Sequence, residues 1–306
     1  MQGGTRFYSV STYLRSVFGR KTVKLSIDAG FTCPNRDGTC GTGGCAFCSG
    51  GGSGELASSA DNEASLSSPI SEQIELLSAK WPDAAYLAYF QAHTNTYAPV
   101  SVLRERYYEA LDDPRIEGIV IATRPDCLGG EVLDLLEEIN SSHFMWVELG
   151  LQTIHQETSQ AMGIGYSLDV YDKAVSDLMS RGIRVVTHLI LGLPGETEDM
   201  MLESVKYVCS RPIFGIKLHL MNIVRTSRLY TMMPDYVPFE SIEDYVDLVI
   251  RCLEIIPPEI TIHGLTGDVP RRLLVSPEWS YRKRTILNAI NRELMLRDTC
   301  QGAALK

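Results

Sequence analysis

Short apolar runs alternate with longer amphipathic stretches along most of this chain, and this alternation constrains the fold more than any other feature. The apolar runs predict strands near residues 24–28, 85–91, 118–123, 145–151, 184–191, 213–220 and 260–265. The stretches with helical periodicity between them are Ser71 to Ala79, Val102 to Leu111, Glu131 to Ile139, Val170 to Ser180 and Met200 to Cys209. Strands that alternate with helices at this spacing form right-handed units of a parallel sheet. We therefore predict an α/β fold, an open partial (β/α)6 barrel of the TIM type with parallel strands, followed by a C-terminal helical extension.

The composition fits a single globular domain. At 306 residues, with 44% hydrophobic and 22% charged residues, the chain is long enough to bury a sizeable core. We assign residues 1–306 to one domain, with a core of about residues 20–222 and an extension of about residues 223–306. The amino-terminal sequence lacks an apolar segment bounded by a cleavage site, and no run reaches the roughly 18 apolar residues of a membrane span. These features predict a cytoplasmic protein that does not enter a membrane.

Cys33, Cys45 and Cys48 lie on one glycine-rich loop directly after the first predicted strand. Three thiolates can hold a soft metal centre and leave one coordination position open for a ligand. Because Cys40 lies between them, the alternatives are a closed four-cysteine zinc site and a [4Fe-4S] cluster with three protein ligands. Phe47, which can shield a cluster from water, and the absence of a second Cys-x-x-Cys pair from the sequence favour the cluster. Cys40 is then a bystander thiol.

Six segments resemble, in this order, the YhcC/YtqA family of radical S-adenosylmethionine (SAM) proteins, which is related to the Elongator catalytic subunit. They are CPNRDGTCGTGGCAFC from Cys33, YFQAHTNTYAP from Tyr89, ATRPDCL from Ala122, WVELGLQT from Trp146, HLILGLPGE from His188 and LTGDVP from Leu265. The resemblance covers essentially the whole chain, without the acetyltransferase domain of Elongator. It departs from the family pattern at residues 162–166 and 263–264, on the expected substrate side.

The resemblance implies an enzyme with two cofactors, a [4Fe-4S] cluster held by Cys33, Cys45 and Cys48 and SAM bound to its free iron. An electron from the cluster would cleave SAM to methionine and a 5′-deoxyadenosyl radical, which abstracts a hydrogen from the substrate. The implied substrate is a tRNA wobble uridine, whose C5 side chain is converted from carboxymethylaminomethyl to aminomethyl. The implied partners are tRNA and an electron donor such as flavodoxin or ferredoxin. The alternatives are a radical SAM enzyme for a small metabolite or peptide, and a non-catalytic metal-binding protein.

Polar residues and glycines recur at the carboxyl ends of the predicted strands, where barrels of this type place their chemistry. The predicted cofactor-binding residues are Phe47, Gln91, Asn95, Glu148, Gln152, His188, Ile190, Gly192 and Gly195. Glu148 lies in an otherwise apolar strand, so it is expected to be either paired or hydrogen-bonded to the cofactor. His188 is alternatively a core histidine. The catalytic residues are undetermined, with Arg124 and Cys127 as candidates for the substrate side.

The formal net charge of −10 argues against a general nucleic-acid coat but allows a local basic surface. The basic residues of this candidate surface are Arg271, Arg272, Arg282, Lys283 and Arg284. They are predicted to contact tRNA phosphates, and the alternative is that they are solvated helix positions.

Overall fold

The structure is a computed structural model that describes residues 5–52, 57–59 and 65–305. The polar sequence of segment 51–68 predicts a loop that leads into a helix, and this segment lies partly outside these residues. Its described part contains a two-residue strand and the beginning of a helix at Ser67. In the described part of the chain, no helix is long and apolar enough to cross a membrane.

Eight parallel strands form one curled sheet, which confirms the predicted half-barrel. Along the chain the strands are β1 (Thr22–Asp28), β2 (Ser58–Ser59), β3 (Ala85–Phe90), β4 (Ile116–Thr123), β5 (Phe144–Gln152), β6 (Arg184–Leu191), β7 (Gly215–Leu220), β8 (Ile223–Val224), β9 (Thr261–Gly264) and β10 (Leu274–Ser276). The sheet order is β2-β1-β3-β4-β5-β6-β7-β9, and β8 pairs with β10 in a separate antiparallel ribbon. All seven predicted strands are present, with bounds that shift by at most two residues.

Helices cover the outer face of the sheet and extend beyond it at the carboxyl terminus. They are α1 (Val10–Phe18), α2 (Ser67–Ser78), α3 (Val100–Leu111), α4 (Gly130–Ser142), α5 (Gln156–Ala161), α6 (Leu168–Ser180), α7 (Glu198–Cys209), α8 (Arg228–Met232), α9 (Ile242–Ile255) and α10 (Lys283–Leu296). The last two confirm the predicted helical extension, and α9 joins the main core because its Tyr245 and Leu248 are fully buried.

Side chains alternate between the two faces of each strand, as extended backbone requires. On β3, Phe90 packs outward in the main core, whereas Tyr89 belongs to the group of residues inside the barrel. That inner group also contains Trp146, Val186 and Leu14 of α1. Among the described residues, Leu14, Trp146 and Val186 bury apolar side chains near the amino ends of the strands and close that end of the barrel.

The segment before α1 fixes this closure. The Tyr8 carbonyl oxygen accepts a 2.8 Å hydrogen bond from the Ile262 amide on β9. The Ser9 hydroxyl then caps α1 by accepting from the Thr12 amide at 3.1 Å. A serine at this position satisfies an otherwise unpaired helix amide and stabilises the first turn.

We predict that Gly118→Ala destabilises the fold. A Cβ at buried Gly118 on β4 would lie 2.2 Å from the Phe144 carbonyl oxygen of the paired strand β5, so the backbone must move. Overpacking of this kind costs about 1–3 kcal/mol of unfolding free energy, measurable by denaturant titration. The matched control is Gly130→Ala at the start of α4, where a Cβ meets open space. Equal stability of the two variants would contradict this account of the sheet.

Candidate functional site

The three cysteines of the glycine-rich loop line one cavity at the carboxyl ends of the barrel strands. Its volume is about 510 Å³, and Cys33, Cys45 and Cys48 share its wall with Phe47. Asn35 holds the loop in place, because its Nδ2 donates to the Gly163 carbonyl oxygen at 2.6 Å and lies 3.5 Å from the Cys45 sulfur. The structure therefore brings together the three sulfurs that the sequence predicted as ligands.

The electrostatics of the cysteine pair favour a thiolate. A hydrogen bond with Cys48 lowers the pKa of Cys45 to about 7. The same hydrogen bond, together with burial, raises the pKa of Cys48 well above its usual range. The thiolate is the form that ligates a metal, so one member of the pair is close to its ligating state at neutral pH.

Cys33, Cys45 and Cys48 form the set of thiol donors on the wall of the main cavity. Within the described residues, no three His, Cys, Asp or Glu side chains converge to hold one metal ion. A zinc site needs its ligands within about 2.3 Å of one point, whereas the cysteines of a [4Fe-4S] cluster bind separate irons. Cys40 is exposed and lies on the wall of a second cavity, away from the other three. The donor set fits three-cysteine ligation of a cluster.

A polar cluster, which we call the floor cluster, lies at the bottom of the cavity around the carboxylate of Glu148. Its members are Glu148, Lys24, Tyr89, Trp146, His188 and Lys217. The Lys24 ammonium and the Trp146 indole donate to Oε1 of Glu148 at 3.1 and 3.0 Å. Tyr89, His188 and Lys217 donate to Oε2 at 2.8, 2.7 and 3.4 Å. Glu148 is completely buried and fully paired, as one of the two sequence interpretations required.

Burial and charge set the protonation states of the floor cluster. Burial alone would raise the pKa of Glu148, but Lys217, Lys24 and His188 hold it well below its usual range. Burial lowers the pKa of Lys217 to about 8, against the pull of Glu148. Burial and the nearby Lys217 lower the pKa of His188 to about 4. At neutral pH the cluster therefore contains a carboxylate, ammonium groups and a neutral imidazole that donates from Nε2.

Two residues of the cavity wall have a left-handed backbone that is uncommon outside glycine. His93, shortly after the end of β3, has a φ of 58°, and Gln152, the last residue of β5, has a φ of 72°. At Gln152 the pairing of β5 with β6 also shifts register. Such strain persists where the surrounding structure holds a side chain in a particular direction. Both residues line the cavity, and so does Gln91, which the sequence predicted to bind a cofactor. The chain at the ends of β3 and β5 therefore directs side chains into the cavity.

Some of the predicted cofactor residues lie on this cavity and others support it from behind. Phe47, Gln91, Glu148, Gln152, His188 and Ile190 all line the cavity. Asn95 is buried behind the wall, where its Nδ2 donates to the Ala122 carbonyl oxygen at 2.8 Å. Gly192 has a φ of 88°, and a Cβ there would lie 2.6 Å from the Phe239 ring. Gly192 is therefore required for packing against the C-terminal segment, and a cofactor contact by Asn95, Gly192 or Gly195 stays a prediction.

The two catalytic candidates separate in the structure. Arg124 lines the main cavity, where it pairs with Asp126 at 2.9 and 2.7 Å and stacks over the Tyr166 ring at 4.8 Å. Its Nη1 also donates to the Ile164 carbonyl oxygen at 3.0 Å, which fixes the loop that is hydrogen-bonded to the cysteine loop. Cys127 lies with Cys40 on the second cavity instead. Burial raises the pKa of Cys127, so its thiol is not activated as a nucleophile.

Sequence reasoning missed the cations of the floor cluster. Lys24 and Lys217 lie on β1 and β7, and His219 and His263 add two further rings to the cavity wall. The sequence did contain a signal for these cations. It was a lysine or histidine at an inward-facing position of a strand whose other inward residues are apolar and close the barrel. Reading it required the strand register, because one residue of shift would place these side chains on the opposite face.

We predict that His188 makes stability depend on pH between 6.5 and 4. In this window His188 stays neutral in the folded protein, because its pKa is lowered to about 4, but protonates in the unfolded chain. The unfolding free energy therefore falls as pH falls, by about 3 kcal/mol from this residue by pH 4. Denaturant titrations across the window should show a shallower decline for His188→Gln than for the wild type. Parallel declines would contradict the neutral assignment.

Comparisons with known proteins agree with this geometry. Residues 36–208 match the radical SAM superfamily, and residues 213–295 match the radical SAM C-terminal domain. YtqA of Bacillus subtilis is 44% identical over 298 residues, which are 97% of this chain and 92% of YtqA. A tRNA uridine(34) acetyltransferase of Methanocaldococcus jannaschii is 25% identical over 166 residues, 53% of this chain and 30% of that protein.

The fold is also similar to that of a solved structure. The solved structure of Methanocaldococcus infernus Elp3, with an N-terminal deletion, superposes with a TM-score of 0.65 at 16% identity. The match covers 76% of this chain and 59% of that one. The chain therefore belongs to the radical SAM superfamily and, within it, to the YhcC/YtqA family, whose cofactors are a [4Fe-4S] cluster and SAM.

Proposed function

We propose that this protein is a radical SAM enzyme that converts the carboxymethylaminomethyl group of a tRNA wobble uridine to aminomethyl. The observation that carries the proposal is one cavity that joins the three cysteines to a cationic floor. The relationship to an acetyltransferase named for uridine 34 of tRNA supports the choice of substrate. The single-domain assignment, with a core of about residues 20–222 and an extension of about residues 223–306, is part of this proposal.

Cys33, Cys45 and Cys48 would hold the cluster, and Gln91, Gln152 and Ile190 on the same wall would contact SAM. When bound and reduced, the cluster supplies the electron that cleaves SAM to methionine and a 5′-deoxyadenosyl radical. A flavodoxin or ferredoxin is the proposed electron donor.

An apolar group next to the cysteines would exclude water from this chemistry. Phe47, Tyr166 and Cys45 pack against buried Met162 and Ile190. Side chains that shield a cluster limit solvent access and so protect a reactive intermediate from side reactions. At this end of the cavity, the protein itself would thus bind and orient the cofactors and exclude water from them.

The mouth of the cavity adjoins the candidate basic surface. Lys283 lines the cavity and pairs with Asp268, which lies on the same wall. Arg271 and Arg282 lie over the Tyr281 ring at 4.4 and 5.3 Å. Cations beside an aromatic ring are suited to the phosphates and bases of a nucleic-acid loop. This arrangement supports tRNA as the macromolecule that brings its uridine to the cavity.

We predict that alanine at Cys33, Cys45 or Cys48 abolishes the cluster, whereas Cys40→Ala retains it. Each of the three lines the cavity and Cys40 does not share that wall. Iron and sulfide are measured after anaerobic reconstitution, together with reductive cleavage of SAM. Cys40→Ala is the matched control, since it removes one thiol from the same loop. Loss of iron from Cys40→Ala would overturn three-cysteine ligation.

We predict that tRNA from cells lacking this protein accumulates wobble uridine with the carboxymethylaminomethyl group. Mass spectrometry of tRNA nucleosides measures this, and the wild-type gene should restore the aminomethyl product while Cys45→Ala should not. An unchanged nucleoside profile would reject the tRNA substrate.

Two measurements test the contribution of the candidate basic surface. They are the tRNA nucleoside profile of the same cells and the affinity of the protein for tRNA. The Arg282→Glu, Arg284→Glu double variant should weaken tRNA binding and flatten its salt dependence, because fewer counterions are released. Arg292→Glu is the control, since Arg292 is also exposed on α10 and lies outside the candidate surface. Equal binding by both variants would remove this surface from the proposal.

A further inference from the structure

The floor cluster contains more positive than negative charge. Two ammonium groups, Lys24 and Lys217, face the single carboxylate of Glu148. The acidic side chains among the described residues that line the cavity are Glu148 and Asp268. Asp268 pairs with Lys283, and so it does not compensate the second ammonium group of the floor.

The neighbouring histidines add no charge at neutral pH and do not change this count. Burial lowers the pKa of His219 and of His263 well below the usual range of histidine. His188 is neutral for the same reason. Lys217, whose pKa burial lowers to about 8, is still mostly protonated at pH 7. The floor cluster therefore has a net charge of about +1.

The remaining charged groups of the cavity wall are occupied elsewhere. Arg124 is paired with Asp126. Arg36 donates to the carbonyl oxygens of Ser49 and Gly50. Arg36 keeps its charge at the cysteine end of the cavity, whereas at the floor the uncompensated charge lies at the two lysines.

The hydrogen bonds of Glu148 are saturated, whereas those of the lysines are not. The two oxygens of Glu148 accept five hydrogen bonds, and the longest, at 3.4 Å, comes from Lys217. An ammonium group has three donors. Lys24 and Lys217 keep 24% and 16% of their side-chain surface exposed, while Glu148 keeps none. The unused donors of both lysines are therefore open to the cavity.

The positions of the two ammonium groups are fixed by aromatic contacts. The Lys24 Nζ lies 4.1 Å from the centre of the Tyr89 ring. The Lys217 Nζ donates to the Tyr89 hydroxyl at 3.2 Å. Cations that are already oriented and partly desolvated bind an incoming anion with little loss of side-chain entropy.

We propose that Lys24 and Lys217 bind the carboxylate of the substrate at the floor of the cavity, a proposal that rests on the proposed function. A carboxylate has a charge of −1, which matches the surplus, whereas a phosphate dianion would leave the site negative. The same cavity reaches the three cysteines, so the carbons next to a carboxylate held at the floor extend towards the cofactors. The lysines thereby orient the carboxymethylaminomethyl side chain of the proposed substrate.

The test compares two anticodon stem-loops that differ only in the carboxymethyl group that bears this carboxylate. One contains 5-carboxymethylaminomethyluridine and the other contains 5-aminomethyluridine at the wobble position. Both are bound to the reconstituted, SAM-loaded protein without reductant. We expect the wild type to prefer the carboxylated stem-loop by about tenfold or more, as a charge-assisted hydrogen bond provides. Lys217→Met and Lys24→Met should reduce this preference to below about twofold.

Two further variants separate charge recognition from a general loss of structure. Lys217→Arg keeps the charge and should keep most of the preference. Lys173→Met, at an exposed position of α6, should behave as the wild type. Equal binding of both stem-loops by the wild type would overturn the proposal. Weaker binding of SAM by Lys217→Met, by a larger factor than the weakening of carboxylated stem-loop binding, would also overturn it. In that case the lysines would bind the carboxylate of the methionine part of SAM.

A second probe distinguishes failure of this proposal from failure of the tRNA substrate. If neither stem-loop binds, the tRNA assignment is wrong, and the lysines are tested with hippurate, hippuramide and phenyl phosphate. Hippurate binding that exceeds binding of the other two and is lost in Lys217→Met supports a carboxylate site. Equal binding of hippurate and hippuramide, or stronger binding of phenyl phosphate, overturns it.

Discussion

The interior of this barrel depends on one buried carboxylate. Glu148 connects its own strand β5 to four others, because its oxygens accept hydrogen bonds from side chains on each of them, namely Lys24 on β1, Tyr89 on β3, His188 on β6 and Lys217 on β7. Burying an isolated charge would cost several kcal/mol, and a partner on each side offsets that cost. The arrangement also positions two ammonium groups at the end of a cavity. The lysines that stabilise the buried Glu148 therefore also give the cavity its cationic floor.

The two ends of the cavity have opposite chemical character. The cysteine end is lined by polarizable sulfur and apolar side chains, with Phe47 and Met162 beside Cys45. The floor consists of cations around a saturated carboxylate, and apolar Trp146 separates it from the closed end of the barrel. A substrate with an anionic end and a less polar reacting carbon fits this polarity in one orientation. The strained backbones of His93 and Gln152 belong to residues that line the same cavity.

The sequence predicted the elements better than the details of the wall. Periodicity located all seven strands of the prediction and the helices between them, because burial of alternate residues leaves a direct pattern. It missed the short ribbon of β8 and β10, whose pairing depends on contacts between distant residues. It did not predict that Gly192 packs against the Phe239 ring. It also did not predict that Cys127, a candidate for the substrate side, lines a second cavity.

Sequence alone determined the fold class and the family, because these depend on periodicity and on residue types at short spacing, and it predicted the three cysteine ligands. Only the tertiary structure decided which inward residues meet. Lys24 and Glu148 are separated by 124 positions, and their pairing follows from the curvature of the sheet. The structure also decided that the histidines are neutral and the floor is cationic, because burial and neighbouring charge, not residue type, set these states.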